Sequence, residues 1–497
     1  MLRRLTVPAL VAAIALSPAA GGAQSPRAAA AGKTLVAKFI DDNATQYGQV
    51  AQTIWNYAEV GYQEERSSAL LQQTLRDAGF TIETGVAGIP TAFVATYSNG
   101  AGPVIGILAE YDALPGITQD RTAERNPIGE KPAGHACGHH LFGTASTAAA
   151  IAVKQWMQSS NQRGTIRVYG TPAEEGGAGK VYMVRAGLFK DVDVVLHWHP
   201  GDRNAADAAS SLANKSAKFR FHGISAHASG APERGRSALD GVEAMNHMVN
   251  MMREHVPSDA RIHYVITSGG SAPNVVPDFA EVFYYVRHHD PQVVLALFDR
   301  VVKASEGAAL GTGTTVDHEV IHGVYNLLPN VALQRAIHAN LVAVGGMTYT
   351  DAERAFAEIV RGTFGVEPPP LKVASEVQPF RIIEGNPGGG STDVADVSWV
   401  VPTGGMRAAT WVPGTSSHSW QAIAAGGMTI GNKGMVIAAK TLAMSAVDLF
   451  TNAALVAAAK AEYRELVGPN FTYRAILGDR PPPLDYRKGS VPGGAPE

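Results

Sequence analysis

Cys137 and His139 stand two residues apart in Gly134-His-Ala-Cys-Gly-His-His140, with Gly138 between them and His135 and His140 on either side. A thiolate, imidazoles and a turn glycine supply the donors and the close backbone wrapping that a zinc- or manganese-type cation needs. Cys137 is the only cysteine in 497 residues, so an internal disulfide is excluded. A free thiol packed beside surface histidines would be the plainer reading of this stretch alone. Three further clusters of ligand-type residues weigh against it. Glu174-Glu175 is the second. Adjacent loop carboxylates can point different ways, one held ionised by a cation and the other shuttling a proton from an activated water. Alone, the pair would read as acids at the start of a helix. His197 and His199 are the third cluster. Two apart in a strand they would share a face, but the strand is expected to end here, and periodicity does not choose between them. His418, in Gly414-Thr-Ser-Ser-His-Ser-Trp420, is the fourth. Asp112, following a strand, is placed either to orient a ligand from behind or to cap a turn.

Other chemistries fall away. Gly176-Gly-Ala-Gly-Lys180 lacks the first glycine of a phosphate loop and the Ser/Thr after its lysine. No Gly-x-Ser-x-Gly strand-to-helix elbow is present, which disfavours a serine hydrolase. Charge is nearly balanced, with 41 basic and 44 acidic residues, and no basic run or basic–aromatic strip points to nucleic acid.

The elements that must position these clusters alternate. Helices are expected over 33–65 and 67–78, after a short linker at 28–31. Strands follow at 81–85, 91–97 and 104–109, then a polar loop at 118–132 and an alanine-rich helix over 141–157. A strand at 165–170, a helix at 181–186 and a strand at 193–196 complete this part. Ligand-type residues sit just past the strand ends, where open α/β sheets place their sites. Between 214 and 329 the order changes to strand–helix–strand–strand–helix–strand, the ferredoxin-like pattern, before helix 331–344 resumes the first pattern. Here Gly223-Ile-Ser-Ala-His227 puts a histidine at a strand exit, and Asn274 and Arg287 lie at or beyond strand ends, suited to a substrate carboxylate. The expected fold is α/β: an open mixed sheet with helices on both faces (33–213 and 330–479), interrupted by an inserted α+β domain (214–329). A loosely held tail is expected over 480–497. Residues 1–23, with Arg3 and Arg4 before an apolar Val7–Leu16 and small residues at 21–23, read as a secretory signal peptide, implying a periplasmic or secreted protein. No other run reads as a membrane span.

In this order, Glu-Tyr-Asp-Ala-Leu-Pro (110–115), Gly-His-Ala-Cys-Gly-His (134–139), Pro-Ala-Glu-Glu-Gly-Gly (172–177), Trp-His-Pro (198–200), Gly-Ile-Ser-Ala-His-Ala (223–228), Asn-Val-Val-Pro (274–277), Gly-Gly-Ser-Thr-Asp-Val (389–394) and Ser-His-Ser-Trp (417–420) resemble the M20 family of metallopeptidases. The resemblance is to its amidohydrolase branch, within it most to the p-aminobenzoyl-glutamate hydrolase group. It implies two divalent ions per chain, zinc or manganese with cobalt also compatible, held by Cys137, His139, Glu175, His199 and His418. The resemblance favours His199, because the family's histidine follows its aspartate at the distance at which His199 follows Asp193, with His197 as the rival. The resemblance makes Glu174 the general base. His227 would stabilise the oxyanion in the site of a partner copy, which implies a homodimer through the inserted lid domain. Asn274 and, less securely matched, Arg287 would contact substrate. The implied reaction is hydrolysis of N-acyl or N-aroyl amino acids or short peptides. A dipeptidase or aminopeptidase requiring a free α-amine is the alternative on the same scaffold, and a binding protein without turnover is the non-enzymatic one. Two departures bear on substrate preference: His140 stands where the branch commonly has Asp, and Glu110 where Asp is usual.

Overall fold

A computed structural model of the chain describes residues 26–129, 131–385 and 390–488. The expected signal peptide, residues 1–23, lies outside them. The first helices are α1 (Pro26–Asp42), α2 (Ala44–Tyr57) and α3 (Glu65–Asp77). Two expectations are corrected here. Residues 28–31 are not a linker but part of α1, as a run of alanines favours. The single helix over 33–65 is two, broken at Asn43, whose side-chain amide donates back to the Phe39 carbonyl, and the second ends at Ala58 in the left-handed region.

Six strands build the larger sheet: β1 (Thr81–Thr84), β2 (Phe93–Ser98), β3 (Val104–Ala109), β4 (Thr165–Gly170), β5 (Val194–Gly201) and, far along the chain, a strand over Thr403–Ala409. Their spatial order is β1-β2-β4-β3-β5 and then that last strand. β3 pairs in parallel with β4 and β5, and β1 and β2 form an antiparallel edge. The continuous apolar run of β3 is almost wholly buried, as a strand covered on both faces requires. β5 continues through His197, His199 and Pro200, where the sequence suggested it would stop.

Helix α4 (His139–Ser160) packs on β3, β4 and β5. Its small side chains let it lie buried on nearly every face. The 7-residue α5 (Gly179–Arg185) follows the β4 exit.

Residues 213–324 form a second sheet: β6 (Ala213–His222), β7 (Arg261–Ser268), β8 (Phe279–His288) and β9 (Thr315–Val324), with α6 (Ala238–Met252) and α7 (Pro291–Thr312). The order β7-β8-β6-β9, all antiparallel, is that of a ferredoxin-like unit. Its core of Phe219, Phe221, Tyr284, Val286 and Phe298 is separate from the core of the larger sheet. The chain then returns through α8 (Val331–Val344) and α9 (Asp351–Arg361) to a short α10 (Val394–Ser398). The sixth strand of the larger sheet, β10 (Thr403–Ala409), pairs in parallel with β5. Helices α11 (Trp420–Gly426), α12 (Thr429–Thr451) and α13 (Ala453–Val467) end the fold. By length and composition α12 resembles a membrane-crossing helix. It is mostly buried against α1, α4 and α8, so its apolar surface is used inside the protein.

The tail is also corrected in part. Residues 480–488 are tied down by side-chain hydrogen bonds rather than loosely held, and 489–497 lie outside the described residues.

Candidate metal centre and active site

The exits of β3, β4 and β5 and the start of α4 converge. Gly138 caps α4 with φ 80°, in the left-handed region, and a β-carbon there would lie 2.8 Å from Pro200. A glycine is therefore what brings the Cys137–His139 turn against the end of β5. Cys137 Sγ lies 3.4 Å from His199 Nε2. The donor atoms of Cys137, His139 and His199 fall within 4.8 Å of one another, and so do those of Cys137, Glu175 and His418. The two groups share the thiol. Glu110, His139 and Glu174 form a third such group.

The imidazoles are set for ligation. His139 Nδ1 faces Asp112 Oδ1 at 2.8 Å, and His199 Nδ1 faces the Pro200 carbonyl at 2.7 Å. Each therefore carries its proton on Nδ1, leaving the Nε2 lone pair for a cation. Nε2 of His139 and Oε1 of Glu175 are buried without a hydrogen-bond partner among the described residues. Their nearest charged-type neighbours are Glu110 at 3.2 Å and His418 at 3.0 Å. Soft sulfur, imidazole nitrogen and carboxylate oxygen at these separations fit divalent cations. Asp112 does a second job, since its Oδ2 accepts the Glu175 amide at 2.9 Å.

His197 is on the same strand face as His199 but one repeat deeper. It packs beneath Gly405, where a β-carbon would come within 2.3 Å of its Nε2, and burial pushes its pKa down to about 4. It takes no part in the cluster. His135 and His140 also turn away, their rings tilted 47° at 4.8 Å and meeting the carbonyls of Ile54 and Gly426.

Burial pushes the carboxyl of Glu174 well up, and the neighbouring Glu110 and Glu175 push the same way. A carboxyl so placed is suited to taking and returning a proton. Burial likewise raises the Cys137 thiol. Burial disfavours the charged form of His139, but Cys137, Asp112 and Glu110 outweigh it and hold its pKa up. For His418 the Glu175 carboxylate, 3.0 Å away, does the same. Ala173, just before the two glutamates, has φ 59° and His418 φ 61°, backbone strain of the kind found at working sites. The buried Glu64 holds Ala173 in place by accepting its amide at 2.8 Å.

A buried charge network underlies the pocket. Lys180 Nζ lies 2.7 Å from Glu110 Oε1 and 2.7 Å from Asp393 Oδ1, and all three side chains are essentially inaccessible. The sequence reading gave no role to Glu64, Lys180 or Asp393, which the structure buries beneath the cluster. The signals were present: Lys180 ends the glycine-rich stretch rejected as a phosphate loop, and Asp393 lies in a motif that carried the resemblance without being given a role.

His227, Asn274 and Arg287 are not brought to the cluster. Exposed His227 accepts from the amides of Ser229 and Gly230 through Nδ1, and it pairs across from Val275, beside Asn274. Arg287 lies on β8 over the Tyr285 ring.

Beside His199 a cleft of 420 Å³ opens, lined by Phe142, Arg203, Arg381, Thr392 and Arg407 among others. Arg203 and Arg381 are paired with Asp202 and Asp207. Arg407, in register with His199 on the adjoining strand, has no ion partner among the described residues and adds to the burial that depresses the His199 pKa.

Known proteins resemble this chain in sequence and in fold. The pattern of peptidase family M20/M25/M40 matches residues 106–478. A p-aminobenzoyl-glutamate hydrolase component from Escherichia coli (strain K12) is 39% identical over 458 residues, covering 86% of this chain and 95% of its own length. The Xaa-Arg dipeptidase of Mus musculus is 30% identical over 447 residues, 87% of this chain and 92% of its own. Among solved structures, a dinuclear metal-binding peptidase of the M20 family from Bacillus subtilis shares the fold, with TM-score 0.56 and 17% identity over 82% of this chain and 99% of that one. The chain belongs to peptidase family M20/M25/M40 and is a hydrolase of amide bonds.

Proposed function

We propose that the chain is a two-cation amidohydrolase that releases an acidic amino acid, such as glutamate, from an N-acyl or N-aroyl amide. The observation that carries this reading is the pair of donor groups sharing Cys137: one with His139 and His199, the other with Glu175 and His418. Zinc or manganese suits this mixed donor set, and cobalt is equally compatible. Bound divalent ions supply the Lewis acidity that polarises the amide carbonyl and acidifies water. Glu174 would take the proton of the attacking water and pass it to the leaving amine nitrogen. Asp112 keeps the His139 proton on Nδ1 and, through the Glu175 amide, fixes the loop that carries both glutamates.

The charge of the cleft supports an acidic product over a basic one. Two of its arginines are neutralised by aspartates, which leaves Arg407 as its uncompensated cation among the described residues. A cation there attracts a glutamyl carboxylate and repels the arginine of an Xaa-Arg dipeptide. His227 and Asn274 belong to this reading through a second copy of the chain. Both are exposed on the four-stranded unit, apart from the Cys137 cluster, and edge strand β7 displays Val265 and Ile266 at 57% and 41% exposure. An open edge with apolar side chains is suited to pairing. The reading then makes 214–329 an inserted lid and dimerisation domain, with His227 facing the developing oxyanion of the partner's site. The basic, then apolar, then small-residue N-terminus supports export to the periplasm or beyond.

The test is metal content per chain, with hydrolysis of p-aminobenzoyl-glutamate, N-acetyl-glutamate and Xaa-Arg dipeptides before and after chelation. About two metals per chain and chelator-sensitive release of glutamate are expected. Chelator-resistant turnover would sink the reading, and a preference for free-amine Xaa-Arg substrates would shift it to the dipeptidase alternative.

A further inference from the structure

We infer that the C-terminal segment 480–487 is a strap that positions the Glu174–Glu175 loop, with Tyr486 and Arg487 as positioning residues acting through the main chain of Glu175. The family match ends at residue 478, so the strap lies outside the part of the chain that the family pattern describes. It is nevertheless anchored at both ends. At one end, Arg480 donates to the Val320 and Ile321 carbonyls and pairs with Glu319 at 3.1 Å, all on β9 of the four-stranded sheet. Pro481-Pro-Pro483 then stiffens the path. Midway, Gln63 Nε2 donates to the Leu484 carbonyl at 2.7 Å. At the other end, the Tyr486 hydroxyl and the Arg487 guanidinium both donate to the Glu175 carbonyl, at 2.9 and 2.8 Å.

Those two bonds complete a frame. Asp112 accepts the Glu175 amide at 2.9 Å, and Tyr62 donates to the Gly177 carbonyl at 2.7 Å while meeting Tyr486 edge-on at 5.6 Å. Gly61 leaves the space, since a β-carbon there would lie 2.2 Å from the Tyr486 hydroxyl oxygen. Gly176 and Gly177 follow at once, and glycines leave a loop free to rotate unless its peptides are held. Rotation of the 175–176 peptide would swing the Glu175 carboxylate away from Cys137 and His418 and re-aim its neighbour Glu174. The strap also links β9 to this loop, so displacement of the four-stranded unit would be felt at Glu175.

The inference rests on the two-cation reading of the pocket, and its test separates the two. The full-length chain is stripped of metal and titrated with Zn²⁺ against a chromophoric competitor. Wild type is compared with Tyr486→Phe, Tyr486→Phe/Arg487→Met and Arg487→Lys. Amide hydrogen exchange of 173–178 is followed in parallel. The double variant is expected to bind the second zinc equivalent about tenfold more weakly, the loss typical when a support behind a ligand is removed. The first equivalent, at Cys137, His139 and His199, should be unchanged. Exchange at Gly176 and Gly177 should quicken, kcat should fall more than KM rises, and Arg487→Lys should recover part of the loss. Tyr486→Phe, which deletes one oxygen, covers the case in which the double variant fails to fold. Wild-type zinc titration and unchanged exchange in a folded variant would overturn the strap. A wild-type chain that takes up no metal would overturn the two-cation reading, and the exchange comparison would then decide the strap alone.

Discussion

Lys180→Met tests whether the buried network beneath the pocket is a structural necessity. Met fills most of the lysine volume but removes the one cation that Glu110 and Asp393 share at 2.7 Å each. At an effective dielectric of about 20, each contact is roughly 6 kcal/mol of gross attraction. Desolvation of three buried charges consumes most of that sum. Breaking a buried ion pair on one side leaves a net loss of about 3–5 kcal/mol. The Lys180 amide keeps its bond to Asp393 Oδ2, so the expected loss sits at the lower end of this range. Urea unfolding of the metal-free protein, compared at equal m-value, reads this directly. A triple variant that also carries Glu110→Gln and Asp393→Asn removes the unpaired charges. It should recover at least half the loss, because the penalty comes from stranded carboxylates rather than from the missing amine. A Lys180→Met protein within about 1 kcal/mol of wild type would refute the argument. So would a triple variant less stable than the single one.

Three further outcomes are expected. Glu174→Gln keeps the size and loses the proton acceptor, so kcat should fall by about 10²–10⁴ with metal uptake retained, and isothermal titration with a slow substrate should still show binding. Arg407→Ala should raise KM about tenfold for a glutamyl amide and leave a C-terminal alanine analogue nearly unaffected, the size of one charge-assisted contact. Equal losses for both substrates would remove Arg407 from specificity. Asp396 is buried, which pushes its carboxyl up to about 7 against the pull of hydrogen bonds from Tyr473 and the Tyr325 amide. Between its unfolded value near 4 and 7 the folded chain keeps a proton that the unfolded chain has lost, so this group makes stability fall as pH rises through that window, by up to about 4 kcal/mol. Asp396→Asn should flatten the profile, and parallel stability–pH curves for variant and wild type from pH 4 to 8 would count against this assignment.

The residues legible in the sequence are those whose side-chain chemistry is scarce. Cys137 and His139 on one turn, Glu175 and His418 in loops and His199 near the end of β5 stand out because few side chains ligate metal and they recur where α/β strands end. What a sequence does not carry is depth along a strand. His197 and His199 share a face by periodicity, and only the rise of about 6.6 Å between them puts one at Cys137 and the other under Gly405. The strand–helix order of 213–324 was legible as ferredoxin-like because alternation and turns are local. The break at Asn43 was not, because the residues on both sides favour helix and a side-chain bond back to Phe39 marks the join.

The least legible features are the ones that hold the site together. Lys180 and Asp393 are 213 residues apart, and neither looks unusual in its own segment. Arg480, Tyr486 and Arg487 sit in a proline-rich stretch whose composition reads as a loose tail, and apart from Glu319 their partners are main-chain carbonyls, which every residue has. A ligand must be one of a few residue types, so its identity shows. A support needs only a donor at the right place, so it is disguised by its ordinariness. The geometry of Glu175 depends on both kinds of residue. Its carboxylate faces His418 and Cys137, while its amide and carbonyl are held by Asp112, Tyr486 and Arg487. Substitutions that abolish activity without touching a ligand should therefore concentrate in these supports, and the resemblance alone would not have pointed to the ones beyond residue 478.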